Sequence, residues 1–106
     1  MKMNIQDIQK QLSDFADERD WDQFHNPKNL AMALSVEASE LIEIFQWLTP
    51  EQAESIMESS EGEHVKEEMA DIMIYLIRMA DKLNINLERA VTDKIVKNSK
   101  KHPKTD

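Results

Sequence analysis

Residues 30–48 have the sequence LAMALSVEASELIEIFQWL, and the spacing within this stretch decides the fold. Its apolar side chains recur three or four residues apart, which places them along one face of an α-helix. Glu37 falls within that stripe. A carboxylate on an apolar face is costly to bury unless it is paired or binds a cation. Glu37 is therefore a candidate functional residue. The stripe consists of Leu30, Leu34, Glu37, Leu41, Ile44 and Leu48.

A second stripe of the same kind contains Glu68 and predicts another long helix. Each of the two acids has a partner three residues further on, and such residues point the same way from a helix. If the helices pack together, the acids Glu37, Glu40, Glu68 and Asp71 converge and repel one another. Mg²⁺ prefers oxygen ligands and keeps coordination positions free for phosphate. The pattern predicts one or more Mg²⁺ ions, with Mn²⁺ as a substitute, serving phosphate chemistry. This stripe consists of Val65, Glu68, Ile72, Leu76, Met79 and Leu83.

Acidic pairs at helical spacing also arise by chance in a chain with 21 acidic residues. Three further Glu-x-x-Glu pairs are present, and solvated helix faces explain them better. Register with the apolar stripe, and not spacing alone, selects the four candidates. A di-iron alternative rests on Glu61 and His64, which fit an E-x-x-H motif, but a di-iron bundle needs two copies and this chain has one. The three other pairs are Glu40 with Glu43, Glu51 with Glu54, and Glu58 with Glu61.

Composition restricts the class of protein. A chain of 106 residues with one glycine and three prolines predicts a single all-α domain over 1–106. A net charge of −8 disfavours a nucleic acid polymer as partner. The absence of cysteine excludes disulfides and thiolate sites. No apolar run is long enough to predict a membrane span, and the first ten residues do not resemble a signal peptide. We therefore expect a cytoplasmic location.

Capping signals divide the chain into four to five helices. Asn26 and Pro27 are typical of the N-cap and first position of a helix, Thr49 and Pro50 predict a new start, and Asn86 predicts another. The turn with the strongest sequence signal is 59–62, and 100–106 reads as a basic, frayed tail. The predicted helices are 4–19, 27–48, 50–58, 63–83 and 87–99.

The two long helices carry more apolar side chains than one face can hold. The sequence allows a generously packed monomeric core, but wide apolar helices in a small domain favour self-association. We expect the long helices to pair with a partner chain into a four-helix bundle, in a homodimer or homotetramer.

Other residues are candidates for binding a substrate. Lys94 and Asn98 are four apart on the last helix, where they could meet a phosphate and a sugar, or simply lie on its surface. Several aromatic side chains could stack on a base, although aromatics are more often core residues. His25, close to two of them, is either a ligand-facing donor or a loop residue. The aromatic residues considered for stacking are Trp21, Phe24, Trp47 and Tyr75.

Four segments together resemble one family. These segments are RDWDQFHNPKNL (19–30), EASELIEIFQW (37–47), EEMADIMIYL (67–76) and AVTDKIVKN (90–98). They are similar to the dCTP pyrophosphatase branch of the MazG-like all-α nucleotide pyrophosphohydrolases, whose signature is E-x-x-E followed by E-x-x-D. The resemblance covers about 5–103.

This resemblance implies an enzyme that converts nucleoside triphosphates to monophosphate and pyrophosphate. It implies Glu37, Glu40, Glu68 and Asp71 as Mg²⁺ ligands. It also implies homo-oligomers with pockets built between protomers. By the same resemblance, the substrate-contacting residues are Trp21, His25, Trp47, Tyr75, Lys94 and Asn98.

Two points remain open at this stage. Leu12 stands where vertebrate dCTP-selective relatives carry a polar residue, which implies a broader deoxynucleotide range. The alternative function is a non-catalytic helical interaction module. Such a module has no use for carboxylates within a core stripe, so the acids favour the enzyme.

Overall fold

The structure, a computed structural model, describes residues 3–105, and within them the chain is all-α, as predicted. The five helices are α1 (Ile5–Glu18), α2 (Pro27–Phe45), α3 (Pro50–Glu54), α4 (Gly62–Lys82) and α5 (Leu87–Lys101). Two single 3₁₀ turns, Asp22–Phe24 and Ile56–Glu58, precede α2 and α4 respectively.

Side-chain caps fix the start of four of these helices. The Asn26 side chain accepts the backbone N–H of Asn29 at 2.9 Å, and Pro27 occupies the first turn of α2. Thr49 and Gln52 form a reciprocal capping box at α3. Asn4 and Asn86 cap α1 and α5 as Asn26 caps α2, each with its side chain accepting one backbone N–H. These caps satisfy N–H groups that have no partner within the helix, so the predicted helix starts at Pro27, Pro50 and Leu87 are confirmed.

The other helix boundaries agree less well with those predicted from the sequence. Helix α2 ends at Phe45, three residues before the predicted end at Leu48. Helix α4 begins at Gly62, which the sequence placed in the preceding turn. A Cβ on Gly62 would lie 3.1 Å from the Met57 carbonyl oxygen, so glycine permits a close approach of the two backbones. Helix α5 continues to Lys101 and thus takes in the start of the predicted tail, whose last residue, Asp106, lies outside the described residues.

The core lies where α4 packs against α2 on one side and α1 on the other. Leu30 of α2 and Ile77 of α4 are its two largest fully buried side chains. The predicted α2 stripe is confirmed from Leu30 to Ile44, whose members are buried or partly buried; Leu48 is also partly buried but lies beyond the end of α2. The predicted α4 stripe is wrong at Leu76 and Leu83, which are exposed. Since α4 packs on two sides, its buried surface is wider than one stripe and turns toward Ile77 and Arg78.

Much apolar surface stays uncovered in the single chain. No residue of α5 is buried, and Val91, Ile95 and Val96 are exposed. Met32 and Ile42 are exposed on α2. The radius of gyration is 16.8 Å, whereas a compact domain of this length has one of about 13 Å. None of the helices described is both long enough and apolar enough to cross a membrane.

Candidate metal centre and adjoining cavity

Helices α2 and α4 bring three of the four predicted acids together. One carboxylate oxygen from each of Glu37, Glu40 and Glu68 lies within 4.8 Å of the other two. Glu68 is buried, at 6% exposure, and the other two are partly buried. Acids from two different helices converge because α2 and α4 are the principal packing pair. The predicted convergence of acids from the two stripes is therefore observed for three of the four residues.

The charge of the cluster is only partly compensated by neighbouring groups. The Oε2 atoms of Glu37 and Glu68 are buried without a hydrogen-bond partner. The pKa of Glu37 is raised to about 7, mainly because a protonated Glu37 can donate a hydrogen bond to Glu68; burial and the charges of Glu40, Glu68 and Asp71 add to the effect. Orphaned carboxylate oxygens at this spacing fit a hard divalent cation, which would ligate them and relieve their repulsion.

His64 lies between Glu68 of the cluster and Glu61. Its Nε2 lies 3.3 Å from Oε1 of Glu68, and its Nδ1 lies 3.1 Å from Oε2 of Glu61. The hydrogen bond to Glu61 is the main reason why the pKa of His64 is raised. His64 thus lies next to Oε1 of Glu68, whereas Oε2 of Glu68 has no partner. The spacing that suggested a di-iron motif instead places His64 beside a ligand candidate.

A largely apolar cavity of about 270 Å³ has the fourth predicted acid, Asp71, in its wall. Helix α1 supplies Leu12 and Phe15 to its wall, and the segment before α2 supplies Trp21 and His25. The rings of Phe15 and Trp21 pack edge to face with centroids 5.5 Å apart. Helix α4 closes the cavity with Asp71, Ile74, Tyr75 and Arg78.

Asp71 is related to both the carboxylate cluster and the cavity. It lies outside the group of three close carboxylates and lines the cavity, yet its charge contributes to the raised pKa values of both Glu37 and Tyr75. Burial is the main cause for Tyr75. The predicted fourth acid therefore connects the cluster to the cavity wall.

An ion-pair network holds Arg78, one of the residues that line the cavity. Asp22 accepts hydrogen bonds from Arg78 Nη2 at 3.0 Å and from Lys82 Nζ. These two cations lower the pKa of Asp22, so it is ionised at neutral pH. Burial, followed by the charge of Arg78, lowers the pKa of His25, which is therefore neutral at neutral pH.

The structure does not bring the remaining predicted substrate residues to the cavity. Trp47 follows the end of α2 and is 85% exposed. Lys94 and Asn98 lie exposed on α5, which packs little against the other helices. Trp47 is therefore not on the helix that carries Glu37, where the sequence prediction had placed it, because α2 ends at Phe45.

Arg78 and Phe15 line the cavity but were absent from the predicted site. One signal for Arg78 was present in the sequence: Asp71, Tyr75 and Arg78 recur at spacings of four and three, which places them on one helix face. The signal was obscured because an arginine in a helix usually lies in solvent. No local pattern reveals its partner Asp22, which lies 56 positions away.

Comparisons with known proteins identify the family of this chain. Residues 32–106 match the model of the MazG-like family, and the chain belongs to that family. It is 39% identical over 100 residues to dCTP pyrophosphatase 1 of Rattus norvegicus and likewise to that of Homo sapiens, with 93% of this chain aligned. The chain spans only 59% of the length of these relatives.

A solved structure has the same fold. The crystal structure of a pyrophosphatase from Archaeoglobus fulgidus DSM 4304 superposes with a TM-score of 0.88 at 40% sequence identity. The match covers 98% of this chain and 96% of that one, so the fold extends over both chains almost completely.

Proposed function

We propose that this protein is a nucleoside triphosphate pyrophosphatase that converts deoxynucleoside triphosphates, dCTP or related nucleotides among them, to monophosphate and pyrophosphate. One observation carries the proposal: three carboxylate oxygens lie within 4.8 Å of one another, and Asp71, whose charge acts on Glu37, lines an aromatic cavity. A charged cation centre beside an apolar pocket matches a substrate with a polyphosphate at one end and a base at the other. The relatives named dCTP pyrophosphatase 1 support the same substrate class.

The acids Glu37, Glu40, Glu68 and Asp71 would hold Mg²⁺. Bound there, the ion would neutralise phosphate charge and lower the pKa of a water molecule. The unpartnered oxygens of Glu37 and Glu68 support this assignment. Because its pKa is raised to about 7, Glu37 still carries a proton in part of the molecules at neutral pH, and cation binding would displace that proton.

The cavity would take the base and sugar. Trp21 lines this cavity and would stack on the base; its ring centroid lies 6.5 Å from that of His25. Tyr75 lies one helical turn beyond Asp71, close enough to the acids to crowd a 2′-hydroxyl. We therefore expect deoxyribonucleotides to be preferred. Equal turnover of ribonucleotides would contradict this part of the proposal alone.

Self-association would complete the site. Lys94, Asn98 and Trp47 are exposed in the single chain, so in our proposal they contact substrate across a subunit interface. The open apolar faces of α2, α4 and α5 support pairing of the long helices into a four-helix bundle, in a homodimer or homotetramer. In this assembly residues 1–106 act as one domain.

Release of pyrophosphate from a panel of ribo- and deoxyribonucleoside triphosphates, with and without Mg²⁺, tests the activity. We expect Mg²⁺-dependent release, fastest with deoxyribonucleotides, and Mn²⁺ in partial substitution. Release of orthophosphate, or no turnover of any nucleotide, would contradict the proposal. The second result would favour a non-catalytic helical interaction module.

A further inference from the structure

Arg78 is the most deeply buried charged side chain among the described residues, at 3% exposure. Two of its three nitrogens have partners: Nη2 donates to Asp22 at 3.0 Å, and Nη1 approaches Asp81 at 3.5 Å. The third, Nε, is buried and has no partner. A buried donor without an acceptor is costly, so its retention calls for an explanation.

The unpartnered nitrogen belongs to a side chain that lines the aromatic cavity. A second orphan, Nδ1 of His25, belongs to the same wall. Neither orphan belongs to the carboxylate cluster. Two residues with an unsatisfied polar atom, in the wall of a cavity lined mainly by apolar and aromatic groups, are typical of a site for a flat, polar-edged ligand.

We propose that Arg78 recognises the nucleobase: its Nε–H donates a hydrogen bond to an acceptor on the base edge, and Asp22 holds the guanidinium in position. The inference rests on the proposed function, because it takes the cavity as the base pocket. A carbonyl oxygen or ring nitrogen of the base is the acceptor. His25, on the same wall, supplies the second polar contact to that edge.

The ion pair explains why Arg78 can serve this role. Asp22 lies on the 3₁₀ turn next to Trp21, so the residue that anchors Arg78 also belongs to the segment that forms the cavity wall. Lys82 also donates to Asp22, and the second contact of Arg78, with Asp81, is longer than its contact with Asp22. Asp22 is thus a positioning residue, and the bond to the base falls to Nε.

Binding of reaction products separates this role from catalysis. The full-length wild type, with Mg²⁺, is titrated with dCMP, with dTMP and with 2-deoxyribose 5-phosphate, which lacks a base. We expect both nucleotides to bind more tightly than the baseless phosphate. Arg78→Lys keeps the charge opposite Asp22 but removes the Nε–H, and we expect it to weaken nucleotide binding about 10-fold and leave the baseless phosphate unchanged.

A spectroscopic measurement reports on the donor itself. The Nε–H resonance of Arg78 in a ¹⁵N-labelled protein should shift on addition of dCMP and not on addition of 2-deoxyribose 5-phosphate. Asp22→Asn should raise the KM for nucleotides with little change in kcat, and Asp22→Glu should recover part of the loss. Arg89→Lys, at an exposed arginine of α5, is the matched control and should bind every ligand as wild type does.

Several results would overturn the inference. These are unchanged nucleotide affinity in Arg78→Lys, an equal loss for the baseless phosphate, an unmoved Nε–H resonance, or no preference of the wild type for phosphates that carry a base. A melting curve of Arg78→Lys close to that of wild type shows that the fold is retained. Base-dependent binding without hydrolysis of any triphosphate would contradict the proposed function and leave the role of Arg78 intact.

Discussion

Glu37 is the residue at which the demands of folding and of the proposed chemistry oppose each other most directly. It lies within the apolar stripe of α2, beside Glu40 and Glu68, with an oxygen that no group of the described chain satisfies. An amide at this position would satisfy the fold better than a carboxylate does. A carboxylate is useful there only if a cation neutralises it.

Cation binding should therefore stabilise the protein through this residue. We expect Mg²⁺ to raise the Tm of wild type by several degrees, as a ligand that binds only the folded state does. Glu37→Gln should respond much less, and Glu43→Gln, at an exposed position on the same helix, should respond as wild type. Differential scanning fluorimetry over a Mg²⁺ series measures this. An equal response of both variants would place the ion elsewhere.

The raised pKa of Glu37 predicts a pH effect in the metal-free protein. Between the ordinary value of 4.5 and about 7, the folded state keeps a proton that the unfolded state has lost. The free energy of unfolding should thus fall as pH rises through this window. Glu37→Gln should abolish this part of the slope and be more stable than wild type at pH 8, on the order of 1 kcal/mol.

Urea unfolding in EDTA at pH 5 and pH 8 provides the comparison. His64 also loses a stabilising proton as pH rises, so only the difference between wild type and variant isolates Glu37. A slope that is the same in both proteins would contradict the assignment.

At the residue scale, the sequence revealed the acids but not their surroundings. Glu37 and Glu68 stood out because a charge within an apolar stripe is unusual. Arg78 did not, because its burial depends on Asp22, and that contact forms only when the segment before α2 folds against α4. Long-range ion pairs of this kind have no local signature.

At the scale of the element, α2 carries two of the acids, and its start sets their register against α4. Asn26→Ala removes the side-chain cap, and we expect it to lower the free energy of unfolding by about 1 kcal/mol. Asn26→Asp keeps an acceptor for the Asn29 N–H and should be close to wild type. Urea denaturation of the three proteins decides the matter, and an Ala variant as stable as wild type would show that the cap is dispensable.

Helix starts with a side-chain cap were easier to predict than the other helix boundaries, for a physical reason. Asn26, Thr49 and Asn86 cap through their own side chains, so the signal is local. The end of α2 at Phe45 and the start of α4 at Gly62 depend on how the chain turns between the helices, and at Gly62 on contact with the Met57 backbone. Such contacts exist only after the elements have packed.

At the scale of the whole molecule, the exposed apolar faces call for a partner, and we expect a second copy to supply it. Size-exclusion chromatography with light scattering should show a dimer or tetramer at micromolar concentration. Ile95→Glu, on the open face of α5, should shift the protein toward smaller species, and Lys97→Glu, on the same helix, should not. A monomeric wild type would contradict the assembly.

Overall architecture was predictable because it follows from helical periodicity and a scarcity of glycine and proline. The extent of packing within one chain was not predictable. The width of an apolar face shows that the face must be covered, but it does not show whether the same chain or a partner covers it. Trp47, Lys94 and Asn98 illustrate this: they are exposed in the single chain, and their proposed roles depend on an assembly that periodicity cannot specify.

The most direct test of the central claim is the rate of pyrophosphate release from dCTP in saturating Mg²⁺ by wild type, Glu37→Gln and Glu43→Gln. The two variants remove one charge each from the same helix, but only Glu37 belongs to the carboxylate cluster. We predict that Glu37→Gln lowers the rate by about 100-fold or more while Glu43→Gln stays within about 3-fold of wild type. Equal rates for the two variants, whether both fast or both slow, would contradict the account.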